Sequence, residues 1–226
     1  MPRMLKRNLL KPLWSLAGRT KAKFEDFYLL FFFPIRFEVV DFRLFDYSDK
    51  KNSIWEEWSR VYEYEFVLEL LNELQIQNSC EIHNTCWGYG GVHVKFKNEL
   101  GKVSKNVVNS DIRNSDLPGT QIYDLKKRPP VNWKSKFEIV INVSTMEEIE
   151  ASHLKILKNL LLMVRPGGYL IVTFDLPGIN LESVEKLFKK KLDQRENPIF
   201  LPVPNRQDVN GNLHCGLMVV KRSLLK

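Results

Sequence analysis

The chain has 226 residues, of which 44% are hydrophobic and 27% charged, with a net charge of +7. That composition excludes wholesale disorder, collagen and low-complexity fibres. No run of eighteen apolar residues offers a transmembrane helix, and a chain of this length buries about 70% of its unfolded surface without needing staples. Three cysteines, Cys80, Cys86 and Cys215, with no CxxC spacing, argue against a disulfide framework or a zinc knuckle and for reduced thiols in a cytoplasmic protein.

The positive charge is local. The first 23 residues hold seven bases and no acid, and the remaining 203 hold 27 bases and 27 acids. The high isoelectric point therefore belongs to an arm, and a neutral core argues against nucleic-acid binding. Within the arm, Leu5, Leu9, Leu13 and Leu16 follow helical spacing among the bases. Such a helix can lie on an anionic membrane surface or pack on the domain with its bases in solvent, and both readings stay open. Lys11 and Pro12 interrupt any apolar stretch, so the arm does not read as a signal peptide. Residues 27–35 form an apolar run of nine, too short to span a bilayer as a helix and closed by Pro34; core packing or an interfacial patch accounts for it. Residues 1–53 are accordingly a basic and aromatic N-terminal extension, expected to be helical, with peripheral membrane contact open for residues 1–35.

Residues 54–76 predict a helix. Trp55, Trp58, Val61, Tyr62, Phe66, Leu70 and Leu74 recur every three or four positions, with glutamates, Glu63 among them, in between. This helix caps the core, giving a segment 54–78. From residue 79 to 226 the pattern alternates. Strands are predicted over 79–84, 105–110, 121–123, 137–143 and 169–174, and helices over 92–100, 146–164 and 181–192. Arg165-Pro166-Gly167-Gly168 stops the long helix. Two further strands, 199–203 and 213–221, follow one another across a polar loop. Strands alternating with helices predict an α/β fold, a largely parallel sheet covered on both faces, and the final pair predicts an antiparallel edge.

In such sheets ligands bind beyond the carboxyl ends of the strands. The residues there are Asn84 to Gly91, with Gly88, Gly90 and Gly91 letting the backbone approach a ligand, and Asp111, an acid able to accept from ribose hydroxyls. Asp124 with Leu125 pairs a carboxylate and an apolar side chain suited to an adenine. Asn142-Val143-Ser144 stands where a reacting group belongs. For proton transfer the candidates are His214, Glu147 and Asp175. A structural role competes for each: acids favour a helix start, and His214 borders a strand. Lys126, Lys127 and Arg128 could meet an anionic substrate or simply be solvated. The four histidines lack metal-ligand spacing, so no metal is expected.

Taken together, residues 80–221 resemble a class I S-adenosylmethionine-dependent methyltransferase. The family's first motif, an acid followed by alternating glycines, corresponds to Asn84, Cys86, Gly88 and Gly90. Its strand-two acid corresponds to Asp111, its adenine-side acid to Asp124, its fourth-strand motif to residues 137–142, and its turn before strand five to Pro166-Gly167-Gly168. The resemblance implies a Rossmann-like seven-stranded sheet in the order 3-2-1-4-5-7-6 with strand seven antiparallel. It also implies S-adenosyl-L-methionine as cofactor, held by Asn84, Cys86, Gly88, Gly90, Asp111, Asp124, Leu125 and Asn142. The implied reaction is methyl transfer by in-line displacement, with Asn142, Asp175 and His214 as candidate catalytic groups; a small-molecule or glycan-type acceptor is expected, although the core residues do not specify it. Two departures, Asn84 for the acid and Cys86 for the first glycine, also fit a catalytically inactive binding module. A nucleic-acid methyltransferase using the arm and a nicotinamide dehydrogenase are further alternatives; the second lacks the GxGxxG pattern.

Overall fold

A computed structural model describes residues 37–50, 60–85, 91–113, 119–176, 178–192, 199–203 and 214–224. The expectations for residues 1–36 lie outside the described residues. In chain order the elements are β1 (Phe37–Lys50), α1 (Arg60–Glu73), β2 (Glu81–Thr85), α2 (Gly91–Val103), β3 (Asn106–Asp111), β4 (Thr120–Ile122), β5 (Phe137–Val143), α3 (His153–Met163), β6 (Val164–Leu176), α4 (Leu181–Phe188), β7 (Ile199–Val203) and β8 (His214–Arg222). No described helix is long and apolar enough to cross a membrane.

The eight strands form one sheet in the order β4-β3-β2-β5-β6-β8-β1-β7. The run from β4 to β6 is parallel throughout, and β8 is antiparallel to both of its neighbours, β6 and β1. With β1 set aside, the order and directions are those the family resemblance implies. The central strands are apolar at nearly every position because each face of the sheet is covered. Val140, Leu170, Val172 and Phe174 enter one core with α3 and α4. Ile139, Ile141, Ile171 and Leu217 enter the other with Tyr64, Val67 and Leu71 of α1 and Phe96 and Leu100 of α2.

The N-terminal extension departs from its expected helical form where it is described. Residues 37–50 are a strand inserted between β8 and β7, antiparallel to the first and parallel to the second. Val39, Phe42 and Leu44 all reach the α3/α4 core, although Val39 and Phe42 differ in parity. A register shift between Val39 and Asp41 accounts for this. A bulge adds one residue and flips the alternation, which hides a strand from a period-two reading.

Two further boundaries differ from expectation. The segment 146–164 is not one helix: a 3-10 turn spans Met146–Glu148, Ile149 is extended, and α3 starts after Ser152, whose carbonyl accepts from the Lys155 and Ile156 amides. Arg165–Gly168 lies within β6 as an irregularity opposite Phe137–Ile139. Gly167 has φ +81°, and a Cβ on Gly168 would lie 2.5 Å from the Glu138 carbonyl oxygen. The helix ends at Met163, before the predicted Arg165–Gly168 stop, and those residues interrupt the β5–β6 ladder instead of separating helix from strand.

Candidate functional site

The chain leaves β2 outward through β3 and β4, then returns to the other side of β2 for β5 and β6. The carboxyl ends of β2 and β5 therefore flank the topological switch point, where an open α/β sheet has its crevice. The parallel ladders fix which residues meet there. Thr85 pairs with Ser110 and with Asn142, and Asp111 pairs with Ile122.

Asp111 closes β3 with 9% of its surface exposed. Its Oδ1 accepts from the Arg113 amide at 2.9 Å, and its carbonyl accepts from the Tyr123 amide at 2.8 Å. The carboxylate is thus held by backbone, in a fixed direction at the strand end. Asp124 follows β4 and accepts from the Lys126 amide at 2.9 Å. Leu125 is turned inward; at 2% exposure it packs in the core with Tyr123 and Trp133, so only Asp124 of that pair is half-buried at the rim.

Asn142 is fully buried on the α3/α4 face. Its Nδ2 donates to Thr85 Oγ1 at 3.0 Å, and Thr85 in turn donates to the Ile141 carbonyl at 2.8 Å. Its Oδ1 has no hydrogen-bond partner among the described residues. Asn84 points to the opposite face, where Nδ2 donates to Asn109 Oδ1 at 3.0 Å. That hydrogen bond ties the motif position into the sheet beside β3. Cys86, Gly88 and Gly90, with the neighbouring Trp87 and Tyr89, lie outside the described residues.

His83 is the buried histidine of β2. Its Nε2 shares a 2.8 Å hydrogen bond with Ser110 Oγ, and its ring packs against Trp133 and Phe137. Burial pushes its pKa down to about 3, helped by Lys136. It is neutral at physiological pH and serves the core beside Ser110.

A second polar group lies at the same end of the sheet, toward β6 and β8 and under α1. Glu63, expected between the apolar positions of its helix, is 0% exposed. It shares a face with Val67, Leu70 and Leu71, which are also buried. Positions 63, 67, 70, 71 and 74 keep helical spacing, but the glutamates around Glu63 fit the same helix, so the pattern did not single it out. The glutamate accepts hydrogen bonds from Ser144 Oγ and, at 3.7 Å, from the Cys215 thiol. Ser144 adopts φ +31°, uncommon for a residue with a Cβ, as the chain leaves β5. Asp175 completes the group: one donor atom from each of Glu63, Asp175 and Cys215 lies within 4.8 Å of the others. Glu147 reaches over from the 3-10 turn, its Oε1 accepting from the Asp175 amide at 2.9 Å.

The candidate catalytic residues thus divide. Asp175 belongs to this second group, whereas Asn142 belongs to the switch-point network on the other face. His214 pairs in register with Leu176 and Asp46 at the start of β8, beside Cys215; its side chain lies outside the described residues. Cys80 stays apart, buried near Glu138, and burial pushes its thiol pKa up to about 12.

No family model matches the chain. No curated protein matches it either. Among solved structures it is similar to the N-methyltransferase NodS from Bradyrhizobium japonicum WM9 in complex with S-adenosyl-L-homocysteine, at 13% identity and TM-score 0.49, over 76% of this chain and 93% of that one. It is also similar to the 1,6-didemethyltoxoflavin-N1-methyltransferase of Burkholderia thailandensis with bound 1,6-didemethyltoxoflavin and S-adenosylhomocysteine, at 10% identity and TM-score 0.49, over 75% and 81%. A third is the [4+2]-cyclase SpnF, at 10% identity and TM-score 0.47, over 80% and 88%. By its own strand order, its antiparallel β8 and its switch point, the chain has the Rossmann-like fold of class I S-adenosylmethionine-dependent methyltransferases, with one strand added.

Proposed function

We propose that the protein binds S-adenosyl-L-methionine across the carboxyl ends of β2, β3 and β4 and transfers its methyl group to a small-molecule or glycan-type acceptor. The observation that carries this reading is Asp111. It is a carboxylate at the end of the strand next to the switch point, oriented by the Arg113 amide, in the position where ribose hydroxyls are bound in sheets of this type. Asp124 would serve the adenine end from the next strand. The bound cofactor supplies an activated methyl group on a sulfonium. The chain's own task is to hold the acceptor in line with it and to exclude water, because orientation is the main source of rate in a displacement of this kind.

Calorimetric titration with S-adenosylmethionine and S-adenosylhomocysteine tests the reading. Binding that Asp111→Ala removes, with the far-UV spectrum unchanged, supports it. Failure of the folded parent protein to bind either compound rejects it.

A second reading has its own observation. Asn84 stands where the family has an acid, and its amide is spent on Asn109 inside the sheet. A site with no carboxylate there has less to offer a cationic cofactor, which favours a non-catalytic module that binds the product-like homocysteine form as well as the methionine form. Comparable affinity for the two, with no turnover over a broad acceptor screen, would decide for the module. Residues 1–53 and the segment 54–78 are proposed to set acceptor choice. Contact of the basic arm with an anionic membrane surface, for a protein otherwise in the cytoplasm, is proposed on its charge alone; sedimentation with anionic vesicles, lost on deleting residues 1–23, tests that.

A further inference from the structure

We propose that Glu63, Asp175 and Cys215 form a binding site for a divalent transition-metal ion of the zinc type, distinct in position and chemistry from the switch-point edge. The three side chains come from α1, β6 and β8, separated by more than a hundred residues of chain between Glu63 and Asp175. Despite that separation, one donor atom from each lies within 4.8 Å of the other two. A carboxylate pair is common on protein surfaces and means little there. Here Glu63 and Cys215 are both buried, and the third donor is a thiol.

The spacing fits an ion of this kind. With metal–oxygen bonds of about 2.1 Å and a metal–sulfur bond of about 2.3 Å, a tetrahedral site places its oxygen and sulfur donors about 3.6 Å apart. The Glu63 Oε1 to Cys215 Sγ distance is 3.7 Å. The site therefore needs almost no rearrangement along that edge, and a small movement of Asp175, which is only half-buried, closes the rest.

Donor chemistry selects the ion. Magnesium and calcium take oxygen ligands, whereas a thiolate beside carboxylates suits zinc and its first-row neighbours. On binding, the Cys215 thiol gives its proton to solvent, the sulfur lone pair goes to the metal, and the weak contact from the thiol to Glu63 is replaced by coordination. Ser144 Oγ, already on the Glu63 carboxylate, then orients that ligand from outside, and Glu147 steadies the backbone of Asp175. Three protein ligands leave a fourth position for water or an exogenous oxygen or sulfur, the pattern of reactive sites as opposed to structural ones.

The test uses the full chain, freed of metal by chelator and titrated with cobalt(II), whose spectrum reports both geometry and thiolate ligation. One equivalent should bind, with intense tetrahedral ligand-field bands and a thiolate-to-metal charge-transfer band, and zinc should displace it. Cys215→Ser should lose the charge-transfer band, Cys80→Ser should keep it, and Glu63→Gln should weaken binding at least tenfold. Absence of stoichiometric binding, a response to magnesium alone, or a charge-transfer band that survives in Cys215→Ser overturns the proposal. If Cys215→Ser does not fold, Asp175→Asn carries the same weight, and cobalt affinity equal to the parent's rejects the site. No cofactor is needed for any of these titrations, so their failure leaves the methyl-transfer reading standing, and failure of cofactor binding leaves this one standing.

Discussion

The two polar groups at the carboxyl end of the sheet are built in opposite ways. At the switch point, Thr85 and Asn142 are ladder partners near the ends of β2 and β5, Asp111 ends β3 one residue past Ser110, the other partner of Thr85, and ladder register alone sets these positions. Beneath α1, Asp175 and Cys215 are partners in the antiparallel β6–β8 ladder, and packing of a helix and a turn at positive φ brings Glu63 and Ser144 onto them. The first group is held largely by backbone hydrogen bonds, and so tolerates change in neighbouring side chains. The second depends on how α1 seats its buried face, with Tyr64, Val67 and Leu71 fixing the depth at which Glu63 enters.

The sharpest way to separate the groups is to break one and read both. Asp111→Ala should weaken S-adenosylmethionine binding by about a hundredfold, roughly 3 kcal/mol at about 1.4 kcal/mol per decade, while leaving cobalt binding unchanged. Calorimetry and the cobalt spectrum on the same preparation read the two effects. An equal loss at both would mean a single continuous site.

Next in size is a change at the amino end of the β5–β6 pair, at the opposite end of the sheet from both groups. Gly168→Ala pushes a Cβ to 2.5 Å from the Glu138 carbonyl in the β5–β6 pair, with the Arg165 carbonyl and the Val164 side chain each at 3.1 Å. A destabilisation of about 2 kcal/mol is expected, in the range for forced overpacking, read by denaturant unfolding. Both binding activities should survive in the fraction that remains folded.

The third prediction concerns pH. His83 has a pKa of about 3 when folded and about 6.5 when unfolded. Between those values the unfolded chain binds the extra proton, so stability rises with pH, and it falls as the solution is acidified from 6.5 toward 3. The slope is on the order of one kcal/mol per pH unit from this residue. His83→Gln should flatten that part of the stability profile, measured by urea midpoints between pH 4 and 7; an unchanged slope would show that His83 does not carry it.

The smallest expected effect is the most discriminating. Glu63→Gln should leave S-adenosylmethionine affinity within about twofold, because Glu63 reaches from α1 toward β6 and β8, whereas Asp111 ends β3 on the other side of β2 and β5. It should leave the unfolding midpoint near that of the parent, since the amide keeps both the shape and an acceptor for Ser144. A large loss of cofactor affinity would merge the two groups.

How much of this was legible follows from how each part is specified. The strand Phe137–Val143 was readable because both of its faces are buried, so every position had to be apolar or internally bonded. Asp111 was readable because it ends such a strand at a fixed distance from the glycine-rich loop. The strand Phe37–Lys50 was not, because the bulge between Val39 and Asp41 breaks the alternation on which a strand is recognised. Leu125 looked like a ligand-facing residue beside Asp124, but the turn after β4 rotates it into the core. Glu63 looked like one solvent glutamate among many, and the helix phase that buries it could be fixed only by what lies beneath.

The sequence by itself determined the alternation of strands and helices, the parallel half of the sheet and the carboxylates at its switch point. Those depend on short-range periodicity and on ladder register, which propagate from residue to residue. Tertiary structure decided where β1 enters the sheet and which face of α1 turns inward. It also decided that Glu63 meets the Asp175–Cys215 ladder pair, because a contact across more than a hundred residues leaves no periodic trace in the chain and exists only once the core has packed.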